Sequence, residues 1–274
     1  MQTVADYEIT EELGEDGIFR YYRATPPDRL KQSSSVRLRL LKRQIGEAAI
    51  SRLSKHLGII RNANEEKFLR DIEVIQDANV MAISGEDSML GTLADPAPDL
   101  DRTDVLRIVA EALQSLDELH QLGITHNDIR PQNIRLDSDR AKLSNPGVLQ
   151  IINQGQTLPG THSQIPVEYT HPDLVRGRLP DRKTDLWAMG VTLHRALSGN
   201  SVFPQAPTTS LLNTLRHMQI QGPTLSPSLT PEEQEIITRM LGINGTEMSA
   251  VDTLVDLIEK AAASLETEND DVEA

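Results

Sequence analysis

The residues best suited to chemistry in this chain gather between Ile124 and Gly147. The run Ile124-Thr125-His126-Asn127-Asp128-Ile129-Arg130-Pro131-Gln132-Asn133 places a carboxylate, a guanidinium and an amide within one short segment, and Asn145-Pro146-Gly147 follows soon after. A carboxylate can take up a proton, a guanidinium can hold an oxyanion, and an amide offers a neutral oxygen to a hard cation. A second cluster lies near the start, in Leu13-Gly14-Glu15-Asp16-Gly17-Ile18-Phe19-Arg20. Its glycines allow backbone N–H groups to approach a ligand closely.

The elements that must position these groups follow from pattern. Tyr7 to Leu13 and Ile18 to Ala24 read as strands on either side of the turn Gly14-Glu15-Asp16-Gly17. Val36, Leu38 and Leu40 alternate with Arg37 and Arg39, a period of two that predicts another strand. Residues 46–62 carry Ile50, Leu53 and Leu57 on one helical face, and strand-like runs at 68–75 and 80–84 follow. Beyond the break at Asp95-Pro96-Ala97-Pro98 the chain turns helical. Leu106, Val109, Leu113, Leu116 and His120 keep helical spacing behind Asp101 or Thr103 as cap, and a further helix runs from Asp185 to Leu197 and stops at Gly199. Thr230-Pro231-Glu232-Glu233 is a capping box, and a last helix covers about 250–265. Strands first and helices after predict an α+β chain of two lobes. A β-rich part takes residues 1–84, a hinge 85–98 and a helical part 99–265. The acidic tail 266–274 is expected to be disordered.

The motifs, in this order, resemble those of a protein kinase. The segment from His126 to Asn133 is similar to the catalytic loop H-R-D-L-K-x-x-N, and Asn145-Pro146-Gly147 stands where D-F-G would. Leu13 to Arg20 takes the place of the glycine-rich phosphate loop, Val36-Arg37-Leu38-Arg39 that of V-A-I-K, and Tyr169-Thr170-His171-Pro172-Asp173 the end of an activation segment. Thr184 to Val191 resembles the helix that anchors the catalytic loop, with Asp185 accepting its backbone N–H groups. The resemblance covers about residues 7–262. It implies the two-lobed kinase fold, with a small β-rich N-lobe and a mostly helical C-lobe. It also implies Asp128 as proton acceptor, or else as a structural acid of its own loop. Arg130 becomes the basic group near a transferred phosphate, Asn133 and Asn145 the metal-ligand positions, and Gly14 and Gly17 the phosphate loop. Arg39 stands for the strand lysine, Lys42 does so in a shifted register, and Glu47 is its carboxylate partner. ATP and magnesium are the implied cofactors. His126 is expected to pack and hydrogen-bond in the core.

Against that pattern, several residues work against ATP. Asp16 sets a negative charge beside a triphosphate, and Phe19 carries a Cβ where a glycine would allow close approach. Arg39 replaces a compact ammonium by a planar fork. Arg37 and Tyr21 crowd the roof of the base pocket, and Asn145 offers magnesium a neutral oxygen in place of a carboxylate. Asn127 stands where an arginine would read a phosphorylated Thr157, Thr161, Ser163 or Thr170, and Met248 where the partner of Asp173 would be.

Composition narrows the class further. The chain of 274 residues is 38% hydrophobic and 25% charged, with a net charge of −14. Those are globular values, and the charge argues against a nucleic-acid binder. Without cysteine, disulfides and thiolate chemistry are excluded. The first residues lack the pattern of a signal peptide, and no apolar run is long enough to span a membrane, so a cytoplasmic protein is expected. Arg20, Arg23, Arg29, Lys31, Arg37, Arg39, Lys42 and Arg43 form a basic stretch, read either as an anion-binding face or as solvated strand faces. The expected function is that of a pseudokinase, a binding or regulatory module with a protein partner. The alternatives are an active, atypical Ser/Thr-type kinase, or another transferase using a different nucleotide pose in the same cleft.

Overall fold

The computed structural model describes residues 3–30, 34–62, 67–68, 71–77, 80–87, 90–96, 99–137, 140–152, 167–206, 211–243, 246 and 248–273. Lys31, Ala97, Pro98, Thr157, Thr161 and Ser163, which figure in the sequence reading, lie outside them. The first lobe is built on an antiparallel sheet. Its strands are β1 (Thr3–Val4), β2 (Tyr7–Glu15), β3 (Phe19–Thr25), β4 (Val36–Leu41), β5 (Asp71–Asp77) and β6 (Val80–Glu86), in the order β1-β2-β3-β4-β6-β5. Helix α1 (Glu47–Arg61) lies between β4 and β5 in sequence.

The alternation of β4 sorts its side chains as expected. Val36 and Leu38 bury with Tyr22, Ala24 and Ala82, while Arg37 and Arg39 point the other way. Phe19, Met81 and Ile83 close a second cluster with Leu53 and Leu57 of α1. The strand expected at 68–75 begins at Asp71. Phe68 instead makes an isolated bridge to Leu143 in the second lobe.

Short strands β7 (Gly91–Thr92) and β8 (Asp95–Pro96) lead into α2 (Arg102–Gln121). Asp101 caps α2, accepting from the Asp104 N–H at 2.8 Å, so the earlier of the two cap candidates is used. Strands β9 (Ile134–Leu136) and β10 (Ala141–Leu143) join β7 and β8 in a sheet of order β10-β9-β7-β8. Then come α3 (Val148–Ile152), α4 (Pro172–Val175), α5 (Arg182–Ser198), α6 (Leu211–Gln221), α7 (Pro231–Leu241) and α8 (Val251–Glu273). Helix α5 starts on an Asp181–Thr184 capping box and stops at Gly199, whose φ of 70° is a left-handed cap that glycine adopts without a Cβ penalty. Thr230 and Glu233 cap α7 as read from the sequence. Leu106, Val109, Leu113 and Leu116 of α2 form one core with Met189 of α5, Ile237 of α7, and Leu254 and Ile258 of α8. Arg102 ties the start of α2 to the buried carboxylate of Glu233.

Helix α8 carries helical backbone through residue 273, past the end expected for it at about 265. Leu265 packs against the core and Glu266 pairs with Arg107 of α2, so the helix keeps partners past the end predicted for it. Among the described residues no helix is long and apolar enough to cross a membrane.

Candidate functional site

The loop between α2 and β9 is held from below by Asp185, in the first turn of α5. Its buried carboxylate accepts the backbone N–H groups of His126 and Asn127, each at 2.8 Å, and contacts His120 Nε2 at 2.9 Å. Asn127 adopts a φ of 60°, a left-handed conformation that asparagine tolerates better than most residues. His126 is fully buried, and its Nδ1 lies 3.3 Å from the Asp128 N–H. Burial pushes its pKa down to about 4, so a neutral ring is packed here.

Above this base Asp128, Asn133 and Asn145 form a closed set. The Asn133 amide donates to the Asp128 carboxylate at 2.7 Å and to its carbonyl at 2.8 Å. Asn133 Oδ1 in turn accepts from Asn145 Nδ2 at 3.0 Å, with the Ser144 hydroxyl 3.4 Å away. Arg130 Nε lies 3.0 Å from Asp128 Oδ1, as an ion pair without hydrogen-bond alignment. Burial raises the Asp128 pKa to about 6, against the pull of Arg130 and Asn133 and with a push from Asp16. The donor set fits magnesium poorly. One candidate oxygen, Asn133 Oδ1, is already taken by the other candidate ligand. Asn145 Oδ1, buried without a partner, is neutral. Among the described residues no His, Cys, Asp and Glu cluster is arranged to hold a metal.

Asn145, at a φ of 62°, begins a turn that α1 grips directly. His56 Nε2 lies 2.7 Å from the Pro146 carbonyl oxygen. A Cβ on Gly147 would come within 2.8 Å of the His56 ring. A hydrogen bond from α1 therefore replaces the aromatic packing that Pro146 cannot supply.

The glycine-bearing turn departs most from expectation. Asp16 does not point at an empty phosphate site but folds back into it. Its Oδ1 accepts the backbone N–H groups of Ile18 and Phe19, both at 2.8 Å, and its Oδ2 accepts from the Tyr21 hydroxyl at 2.7 Å and from Arg130 at 3.2 Å. Although burial works against the charge, these contacts hold the Asp16 carboxyl below its ordinary range. Arg130 is likewise held above its ordinary value, because Asp128, Tyr21 and Asp16 outweigh its burial. The chain Asp16–Arg130–Asp128 thus joins the two lobes across the cleft. Phe19 is corrected: its ring turns into the first-lobe core, and Asp16 is the obstruction. Gly14, at a φ of 109°, lines the cleft, whereas Gly17 is absent from its lining.

The remaining site residues separate clearly. Arg39 is buried in β4 and lines the cleft, while Lys42 lies beyond the strand, exposed and paired with Glu15 at 2.9 Å. The geometry therefore places Arg39 in the lysine position. Glu47 is not its partner. It is the only carboxylate of α1, it is exposed at the helix start, and the inward face of α1 is Leu53, Leu57 and Ile60. Among the described residues of the basic stretch, Arg20 pairs with Glu15, Arg23 with Glu11 and Asp87, Arg29 with Asp6 and Glu73, and Arg43 donates to the Ile152 carbonyl. Asp173 binds Arg176 and Arg178 nearby, and Glu168 accepts from the Trp187 indole through its carbonyl, which ties that segment to α5.

Between the lobes lies a cleft of about 410 Å³, lined by Tyr21, Arg37 and Arg39 above and by Arg130, Asn133, Arg135 and Asn145 below. Arg37 sits over the Tyr21 ring at 4.8 Å. Arg135 escaped the sequence reading. The only signal was a charged residue between Ile134 and Leu136, in a strand whose three positions are all buried.

A β-sheet lobe with one helix, a helical lobe, and a loop anchored by Asp185 beneath an interlobe cleft together define the protein-kinase fold. The protein kinase domain family matches this chain over residues 9–261, and the chain belongs to that family. Its relatives are Ser/Thr kinases at low identity. The serine/threonine-protein kinase ULK3 of Xenopus laevis is 28% identical over 247 residues, covering 86% of this chain and 51% of its own length. The serine/threonine-protein kinase ksg1 of Schizosaccharomyces pombe is 23% identical over 281 residues, 93% of this chain and 45% of its own. PknB of Mycolicibacterium smegmatis, also a serine/threonine-protein kinase, is 26% identical over 159 residues, covering 56% and 25%. This chain spans about half or less of the length of these relatives.

Proposed function

We propose that this chain is a pseudokinase, a kinase fold that transfers no phosphate and acts as a binding or regulatory module for a protein partner. One observation carries the reading: the carboxylate of Asp16 occupies the backbone N–H groups and the arginine that would otherwise meet a phosphate. Phosphoryl transfer is mostly positioning and neutralisation of charge, and both are spent internally here. The hydrogen bond that Asn145 donates to Asn133 Oδ1 supports the same reading on the metal side. The partner surface we favour is the outer face of α1, where Arg52, Lys55 and Ile59 are exposed, in a cytoplasmic setting.

A thermal-shift titration with ATP, with and without magnesium, tests this. Ligand at a hundredfold over its dissociation constant stabilises a protein by about 2.7 kcal/mol. No magnesium-dependent shift is expected, and a large one overturns the proposal. A second reading, an active Ser/Thr-type kinase, draws on Asp128, Arg130 and Asn133, which keep their places in the loop. Phosphate transfer by the purified chain that Asp128→Asn abolishes decides for it.

A further inference from the structure

The internal contacts of Asp16 account for Arg130 but leave two other cleft arginines without such a match. Arg135 of β9 is only 6% exposed, and its Nε is buried with no hydrogen-bond partner. Arg37 of β4 rises from the opposite lobe into the same cleft, its guanidinium stacked on Tyr21. Burial, together with the positive charges of Arg37 and Arg39, brings the Arg135 pKa down to about 10. Burial likewise lowers Arg37. A buried, unmatched guanidinium is costly unless something neutralises it.

The acids around the cleft are mostly committed elsewhere. Glu15 pairs with Lys42 and Arg20, Asp16 with Arg130, and Glu86 lies 3.6 Å from Lys142, while Asp95 is exposed at the rim. Asp87 offsets part of the charge on Arg37 and Arg135, but Arg23 and Ser35 both engage its Oδ2, while its buried Oδ1 makes no hydrogen bond to either arginine. A neutral base between Arg37 and Arg135 would leave the buried charge of Arg135 and the half-buried charge of Arg37 without a counter-charge. A carboxylate or phosphate group would meet them with the planar, forked geometry that guanidinium groups favour.

We propose that the interlobe cleft binds a small organic polyanion, bearing carboxylate or phosphate groups, held between Arg37 of β4 and Arg135 of β9. Its volume of about 410 Å³ suits a small-molecule ligand. This rests on the reading that the cleft has lost ATP, and it adds what the cleft holds in its place.

The test uses the whole chain, with citrate and pyrophosphate as probes, adenosine as the uncharged control, and sodium chloride at matched ionic strength. Thermal shift and isothermal titration are read on the wild type, Arg135→Leu, Arg135→Gln and Arg37→Ala. A saturable shift with at least one of the two anions is expected. Citrate alone points to carboxylate recognition, and pyrophosphate alone to phosphate. Each variant should weaken that binding at least tenfold, and Arg135→Leu should raise the thermal midpoint of the ligand-free protein. If Arg135→Leu fails to fold, Arg135→Gln and Arg37→Ala still decide. Anion binding unchanged in the variants, or adenosine binding as well as the anions, overturns the proposal. No binding of any probe overturns it too, but leaves the pseudokinase reading standing. Strong magnesium-dependent ATP binding sinks that reading instead.

Discussion

Replacing Asp16 by asparagine is the most informative perturbation, because it keeps shape and removes charge. The amide oxygen can still accept from Ile18 and Phe19, and the Tyr21 hydroxyl can turn to accept from the new N–H group. Arg130 has no such choice, being a donor only. The loss is therefore concentrated in the 3.2 Å contact to Arg130. Hydrogen bonds to charged groups contribute about 1.5–3 kcal/mol. With the Asp16 side chain 20% exposed, solvent screens part of this, and a loss of about 2 kcal/mol is expected. For a chain of this size that is a fall of roughly 4–8 °C in the thermal midpoint. Asp16→Ala, which breaks all four contacts, should cost about twice as much. The pH dependence gives a sharper check. The folded carboxyl lies below its ordinary value of 3.8, so its stabilisation is present above that pH and is lost as pH falls through the lowered value. Urea unfolding of wild type and Asp16→Asn at neutral pH and in acid should show a gap that closes on acidification. A gap near zero at pH 7, or one that survives in acid, refutes the latch between the lobes.

Asp128 should give the opposite slope. Its folded pKa of about 6 exceeds the ordinary 3.8, so its contribution is full below about pH 4 and is lost as pH rises through 6. The change is at most about 3 kcal/mol, and urea titrations should lack it in Asp128→Asn. Gly147→Ala places a Cβ 2.8 Å from His56 at a φ of 69° and should destabilise by about 2 kcal/mol. His56→Ala in that background should recover the clash but not the backbone strain, measured as a double-mutant cycle. Asn145→Asp with Arg39→Lys should tighten magnesium-nucleotide binding without creating an efficient enzyme, because Asp16 stays in place. Calorimetry with and without magnesium checks it.

Much of this was legible because it rests on local, directional rules. The Asp101 and Thr230 caps, the Gly199 stop and the alternation of β4 need no tertiary knowledge, and motif order carried Asp185 to its place under the loop. What escaped depends on where a side chain turns. The charge of Asp16 was read as repulsion of a triphosphate, although an aspartate in a turn can accept backbone N–H groups two and three residues on. Its span to Arg130 joins residues 114 apart, which no local pattern reveals. The resemblance assigns Glu47 as the carboxylate partner of the strand residue, but helical phase puts it outside. Arg135 looked like an interruption of an apolar strand, because burial of a charge has no sequence signature. The last helix ran on because Arg107, on a distant helix, meets Glu266.

The fold-back of Asp16 also bears on entropy. A loop that waits for a ligand samples many conformations, and its binding energy is reduced by the ordering it must undergo. Here Ile18 and Phe19 already have their backbone partner, so the tip is ordered before anything arrives. Their amides should exchange slowly with solvent in the isolated protein. A ligand entering the cleft beside Asp16 would then meet a tip already in place.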